Sequence, residues 1–200
     1  MTERRAVLCV LAGALLSSTA PARAGGDDLE GLFALFAAQG ERRKAFVERR
    51  YSVLFRNPPE ARGTLYFKPP ALLERDVVSP RKEKVRIDAE TATLRIEGDD
   101  GKVTERKASL ATIPQLANLV LTIRATLAGD LATLRRNYVV TMTHPLPRWR
   151  IEMTPIMKID EAAGGGVSTI SMAGERAEVE RIEFTDTSGD RTEILLSPAS

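Results

Sequence analysis

Cysteine, histidine and aromatic residues are scarce in this 200-residue sequence, and each scarcity closes off a class of chemistry. The one cysteine, Cys9, falls inside an N-terminal segment that reads as a removable leader. The rest of the chain has no disulfide to staple it, so a packed interior must hold the fold. His144 is the single histidine, in the turn His144-Pro145-Leu146-Pro147, and a lone histidine cannot build a two-histidine metal site. No Gly-x-Ser-x-Gly elbow accompanies it, so a Ser–His–acid hydrolase has no support. Aromatic residues make up 5% of the chain and are not interleaved with a basic stripe, which argues against single-stranded nucleic acid as a partner. Hydrophobic runs are short as well. Ala6 to Leu16 covers roughly half the length that a membrane-spanning helix requires.

The first 24 residues have the parts of a signal peptide: Arg4 and Arg5, the apolar run, then Ala22-Arg23-Ala24 before a cut at Gly25. Cys9 lacks a preceding Leu-small-small pattern and lies too early to become a lipidated terminus. The expectation is export to the periplasm and a soluble single domain over residues 25–200. The leader takes three arginines and one glutamate from totals of 29 basic and 27 acidic residues, leaving a formally neutral chain. The apparent basicity belongs to the targeting signal, and nothing in it points to nucleic acid.

Periodicity supplies the fold. Leu29 to Gln39 has Leu29, Leu32, Phe33 and Phe36 at helical spacing, with Gly40 as a stop. The period then changes to two over Ala45–Phe55, Arg62–Lys68, Leu72–Val78, Lys84–Asp88, Thr93–Glu97 and Lys102–Lys107. Proline pairs and the Gly98-Asp99-Asp100-Gly101 turn divide these strands. A helical insertion follows from Ile113 to Ala128, ended by Gly129, and Asp130 is placed to cap a short helix carrying Leu131 and Leu134. Strands resume at Tyr138–Thr143, Arg148–Thr154, Val167–Met172, Val179–Thr185 and Arg191–Leu196. Gly164-Gly165-Gly166 follows no strand-to-helix phosphate pattern and reads as a turn. Asp99, Asp100, Asp130, Asp186 and Asp190 fall in turns or caps. The predicted fold is mainly β (α+β): an open, partly closed antiparallel β-barrel of about eleven strands covered by a helical lid.

Two features bear on whether the barrel is solid or hollow. In the insertion helix, Leu116, Leu119, Val120, Ile123 and Leu127 form one apolar face, while Ala117, Leu121, Ala125 and Ala128 form a second. Arg124 is its only charge. A surface helix carries a charged back and this one does not, so both sides must be covered, by protein or by ligand. Among the strands, Arg49 shares a face with Val47, Tyr51 and Val53, and Arg75 shares one with Leu73 and Val77. An inward guanidinium needs an acidic partner or an acidic ligand; the alternative is a rim position with the head in water.

The string Gly63-Thr64-Leu65-Tyr66-Phe67-Lys68-Pro69-Pro70-Ala71-Leu72-Leu73 resembles a segment of the LolA-like periplasmic lipoprotein carriers. The order of elements resembles them too: an opening helix, a Phe46-Val47-Glu48 strand, this motif, an Ile87-Asp88 strand, a helical lid and a closing run of strands. The Phe46-Val47-Glu48-Arg49-Arg50 string looks like a LolA-related branch. The resemblance implies an open barrel with a helical lid over an apolar cavity for acyl chains. It departs at Pro69, where the carriers have an arginine that holds the lid, and at Leu73, where they have an aromatic ring. Arg49 and Arg75 are then the nearest polar groups that could bond the lid or an anionic ligand.

The expected function is a non-enzymatic carrier, without cofactor or metal, for a lipid or acylated ligand. It would be a monomer that meets an inner-membrane donor and an outer-membrane acceptor transiently. The expected cavity wall is Phe46, Leu65, Phe67, Leu73, Leu116, Val120, Ile123 and Trp149, with Arg49 and Arg75 as head-group candidates. The rival expectation is an envelope regulatory or interaction module of the same fold, with a filled cavity and a protein partner.

Overall fold

The computed structural model describes residues 26–54, 56–98, 100–156 and 166–199. The leader with its cleavage site, Asp99, and Gly164 and Gly165 of the glycine turn lie outside the described residues. Helix α1 spans Gly26–Ala37. Six strands follow: β1 (Arg42–Tyr51), β2 (Glu60–Lys68), β3 (Leu72–Ser79), β4 (Glu83–Asp88), β5 (Thr91–Glu97) and β6 (Val103–Ser109). A 3-10 turn at Leu110–Thr112 leads into α2 (Pro114–Leu127) and α3 (Leu131–Asn137). Strands β7 (Tyr138–His144), β8 (Arg148–Pro155), β9 (Val167–Glu175), β10 (Glu178–Asp186) and β11 (Arg191–Pro198) complete the chain. No helix among the described residues is long and apolar enough to cross a bilayer.

Among the described residues the eleven strands form one antiparallel sheet in the order β6-β5-β4-β3-β2-β1-β11-β10-β9-β8-β7. Each half of the chain is a meander of hairpins, and the halves join where β1 pairs with β11, Phe46 opposite Leu196. Strands β6 and β7 are left as the two edges, and the helices α2 and α3 span the chain between them. The sheet is therefore open. Asp130 caps α3 as its position predicts, its carboxylate accepting from the Thr133 amide at 2.9 Å.

Strand β1 stops at Tyr51, four residues short of the alternating pattern that predicts it. Beyond Tyr51 the Leu54 amide turns back onto the Ser52 hydroxyl, which removes Val53 and Leu54 from the ladder into water. Alternation alone did not reveal this, because a strand also needs a neighbour whose backbone continues alongside it.

The concave face is divided. Under α1 the sheet is solid: Leu29, Leu32, Phe33 and Phe36 pack on Trp149, Ile151, Met153, Ile170 and Met172 of β8 and β9. Each such side chain contributes roughly 1.5–3 kcal/mol by burial. Gly129 lets α1 come close, since its φ of +73° suits glycine and a Cβ there would lie 2.3 Å from the Phe33 carbonyl oxygen. On the convex face the register aligns Glu152, Ser171, Glu183, Glu193, Arg49 and Glu60 in one row across six strands. Glu183 and Glu193 are buried there under Arg150, Arg181 and Arg191.

Candidate functional site: an apolar cavity under the lid helix

The other part of the concave face is not filled. A cavity of about 750 Å³ lies between α2 and strands β1–β4, β10 and β11. Strand parity aims Leu65 and Phe67 of β2, Leu73 and Val77 of β3, and Val85 and Ile87 of β4 to the same side. Ile194 and Leu196 of β11 and Ile182 and Phe184 of β10 join them. Leu116, Leu119, Val120, Ile123 and Leu127 of α2 form the roof, the stripe that the 3.6-residue period singles out. Most of these apolar side chains are only half-buried although they point inward, because the protein itself does not cover them.

The back of α2 explains the missing charges. Ala125, Thr122 and Thr126 are buried on that side. The threonine hydroxyls donate to Asn118 and Thr122 carbonyls of their own helix, and the Thr122 hydroxyl lies 2.9 Å from that of Tyr138. The helix thus has protein behind it and cavity before it. Leu121 differs from its neighbours and is partly exposed to solvent at 42%.

Two arginines fasten the lid. From α2, the Arg124 guanidinium donates to the Ala89 carbonyl in the β4–β5 turn, at 2.8 Å, and to the Ala71 carbonyl in the β2–β3 turn. From β1, Arg42 donates to the Leu127 carbonyl at 2.8 Å and the Phe36 carbonyl at 2.7 Å, joining the C-terminal turns of α2 and α1. Burial lowers the pKa of both guanidiniums from the usual arginine value, and nearby carboxylates partly offset this. Donors at helix C-termini also meet the negative end of the backbone dipoles. Pro69, which has no side-chain donor, lies in the same turn as Ala71. The donor is on the lid and the acceptor on the turn.

Of the residues expected in the wall, Leu65, Phe67, Leu73, Leu116, Val120, Ile123 and Arg75 line the cavity. Three do not. Phe46 shares the concave face but lies under the Arg75 guanidinium, 5.1 Å from its ring, and is buried outside the cavity. Trp149 belongs to the solid half: its ring meets Phe36 edge-on at 5.4 Å and its Nε1 donates to the Arg176 carbonyl. Arg49 is on the convex face, bonded to Glu60 at 2.9 Å. Its parity along β1 is opposite to that of Phe46, so the strand cannot aim both at one cavity. Arg75 is in place but already matched, by Glu48 at 2.7 Å and Glu83 at 3.5 Å. It therefore closes an internal charge pair and does not stand as a vacant cation.

The fold and site together define a class: an open antiparallel sheet wrapped on an apolar chamber, with a helix fastened across it. The profile of the family described as Outer membrane lipoprotein carrier protein LolA-like matches residues 20–200. The chain belongs to this family. Among solved structures it is similar to the LolA superfamily protein NE2245 from Nitrosomonas europaea, with 10% identity and a TM-score of 0.40. That match covers 86% of this chain and 90% of the other. It is similar also to a DUF1329 family protein from Desulfovibrio piger, with 10% identity, a TM-score of 0.34, and 85% and 89% of the two chains covered. No curated protein matches the sequence.

Proposed function

We propose that the protein is a periplasmic carrier that holds a hydrophobic, acyl-bearing ligand in the α2-roofed cavity and moves it outward from the inner membrane. The observation that carries this reading is the set of inward-facing apolar side chains left half-buried around about 750 Å³. Pockets of roughly 300–1,000 Å³ are those that enclose small organic ligands. Exposing such a surface to water is costly, and an acyl chain would remove that cost. The carrier acts by binding alone, without cofactor or catalytic step. The alternative, an interaction module of the same fold with a filled cavity and a protein partner, draws less support from a half of the sheet that is not packed.

Native mass spectrometry of the protein isolated from its own host tests the reading. A retained mass in the range of a lipid, displaced by added fatty acid, is the expected result. Protein that carries no lipid and takes up neither fatty acid nor its methyl ester would overturn it.

A further inference from the structure

The two ends of the cavity differ. At one, Arg42 ties the helix ends to β1, Arg124 ties the lid to two turns, and the Gln39 amide reaches the Ala177 carbonyl at 3.2 Å. That end is crossed by these side-chain bonds. The other end is formed by the β1–β2 and β3–β4 turns, where Arg50, Pro80 and Arg81 border the cavity.

Beside this second end are aliphatic side chains that the fold gives to water. Val53 is 99% exposed and Leu54 83%, at the tip after β1, and Val78 at the end of β3 is 64% exposed. Arg50 at the end of β1 and Arg56 and Arg81 on the two turns are exposed, and none has a carboxylate partner among the described residues. Their neighbours contrast with them: Arg49, Arg62, Arg75 and Lys82 are each bonded to glutamates. An aliphatic tip framed by unpaired guanidiniums matches a surface with an apolar layer beneath anionic groups. Guanidiniums bond phosphate oxygens in pairs, and their stems tolerate an apolar surrounding.

We propose that this end docks on the surface of a bilayer containing anionic lipid. Val53 and Leu54 enter the boundary between head groups and acyl chains, while Arg50, Arg56 and Arg81 bind lipid phosphates. This end of the cavity then faces the membrane and serves as its mouth, so an acyl chain passes between bilayer and chamber without crossing water. The docking stands on the tip and the arginines; the passage of a chain rests on the carrier reading above.

Flotation of the exported protein with two vesicle types tests it: phosphatidylcholine alone, and phosphatidylcholine mixed with phosphatidylglycerol. The protein should float with the mixed vesicles, only weakly with the neutral ones, and less as salt is raised. A cation near an anionic surface is worth about a fivefold gain, so Arg56→Ser should weaken binding by about that factor. Val53→Ser together with Leu54→Ser should weaken it about tenfold. These three side chains stand outside the cavity, so fatty-acid binding without vesicles should be unchanged in the same variants. Equal flotation on both vesicle types, or a double variant that floats like the parent, would overturn the docking, and a protein partner would then be the better occupant of the tip. Fatty-acid binding retained without flotation sinks the docking and leaves the carrier standing. Flotation retained without fatty-acid binding does the reverse.

Discussion

Arg42 and Leu127 are bonded across the boundary between sheet and lid, guanidinium to last-turn carbonyl, at 2.8 Å. Because the same guanidinium also takes the Phe36 carbonyl, one side chain holds α1, α2 and β1 in register. A hydrogen bond from a charged donor is worth about 1.5–3 kcal/mol. Arg42→Met should therefore raise the open population of the lid roughly 10- to 150-fold. Hydrogen exchange along α2 measures this; protection equal to that of the parent would show that the bonds do not hold the lid.

Ile123 and Leu121 are two residues apart on α2 and have different surroundings. Ile123 faces the cavity, whereas Leu121 is 42% exposed. Ile123→Glu should abolish uptake of a fluorescent fatty acid while the thermal melt stays cooperative, since the chamber can admit water to the carboxylate. Leu121→Glu should change neither by much. Global unfolding of Ile123→Glu would mean that the roof is a packed core.

Arg75 and Glu48 form a pair inside the chamber, and this predicts a particular rescue. Arg75→Met leaves Glu48 and Glu83 uncompensated, so a fatty acid should bind roughly tenfold more weakly and its methyl ester less affected. Adding Glu48→Gln should restore most of the loss. If it does not, Arg75 contacts the ligand directly. Arg49→Met, on the convex face, should leave both ligands unaffected.

Glu183 gives the fold an acid-sensitive point. Burial would raise its carboxyl, but the Arg181 and Arg150 guanidiniums outweigh this and hold it below the usual carboxylate range. A carboxyl depressed in the folded state adds stability above its unfolded value, about 4.3, and loses it as pH falls through the lower folded one. Glu183→Gln should cost about 1.5–3 kcal/mol at neutral pH, with a gap to the parent that narrows in acid. Urea unfolding across that range reads the slope; parallel curves would show that the carboxylate does not contribute.

Most of the architecture was legible in the sequence, because period-two strands broken by proline and glycine leave little freedom in a hairpin meander. The stripe Leu116, Leu119, Val120, Ile123 and Leu127 was legible for a similar reason, since helical spacing places residues on one side irrespective of what they face. Alternation puts Arg49 on a face with Val47, Tyr51 and Val53, and Trp149 on one with Ile151 and Met153. It does not say which face is concave or what covers it, and Phe46 carries no clearer sign. Their true places depend on which face of β1 is concave and on how far α1 extends over β8, both long-range facts. Arg42 was missed. An arginine at the start of a strand, followed by Arg43 and Lys44, gives no local sign that it reaches two helix ends. Arg124, the lone charge on an apolar helix, did carry a sign, and its isolation was the signal that it had a designated acceptor.

A closed barrel has its circumference fixed by strand number and stagger, and changing it requires breaking a ladder. Here β6 and β7 are not paired, and the gap between them is bridged by helices held through side-chain contacts and a few carbonyl bonds. The circumference at this seam is thus not fixed by interstrand hydrogen bonds. On the carrier reading, the room inside depends on where two helices rest against the sheet and not on the strand ladder, which suits chains of unequal length.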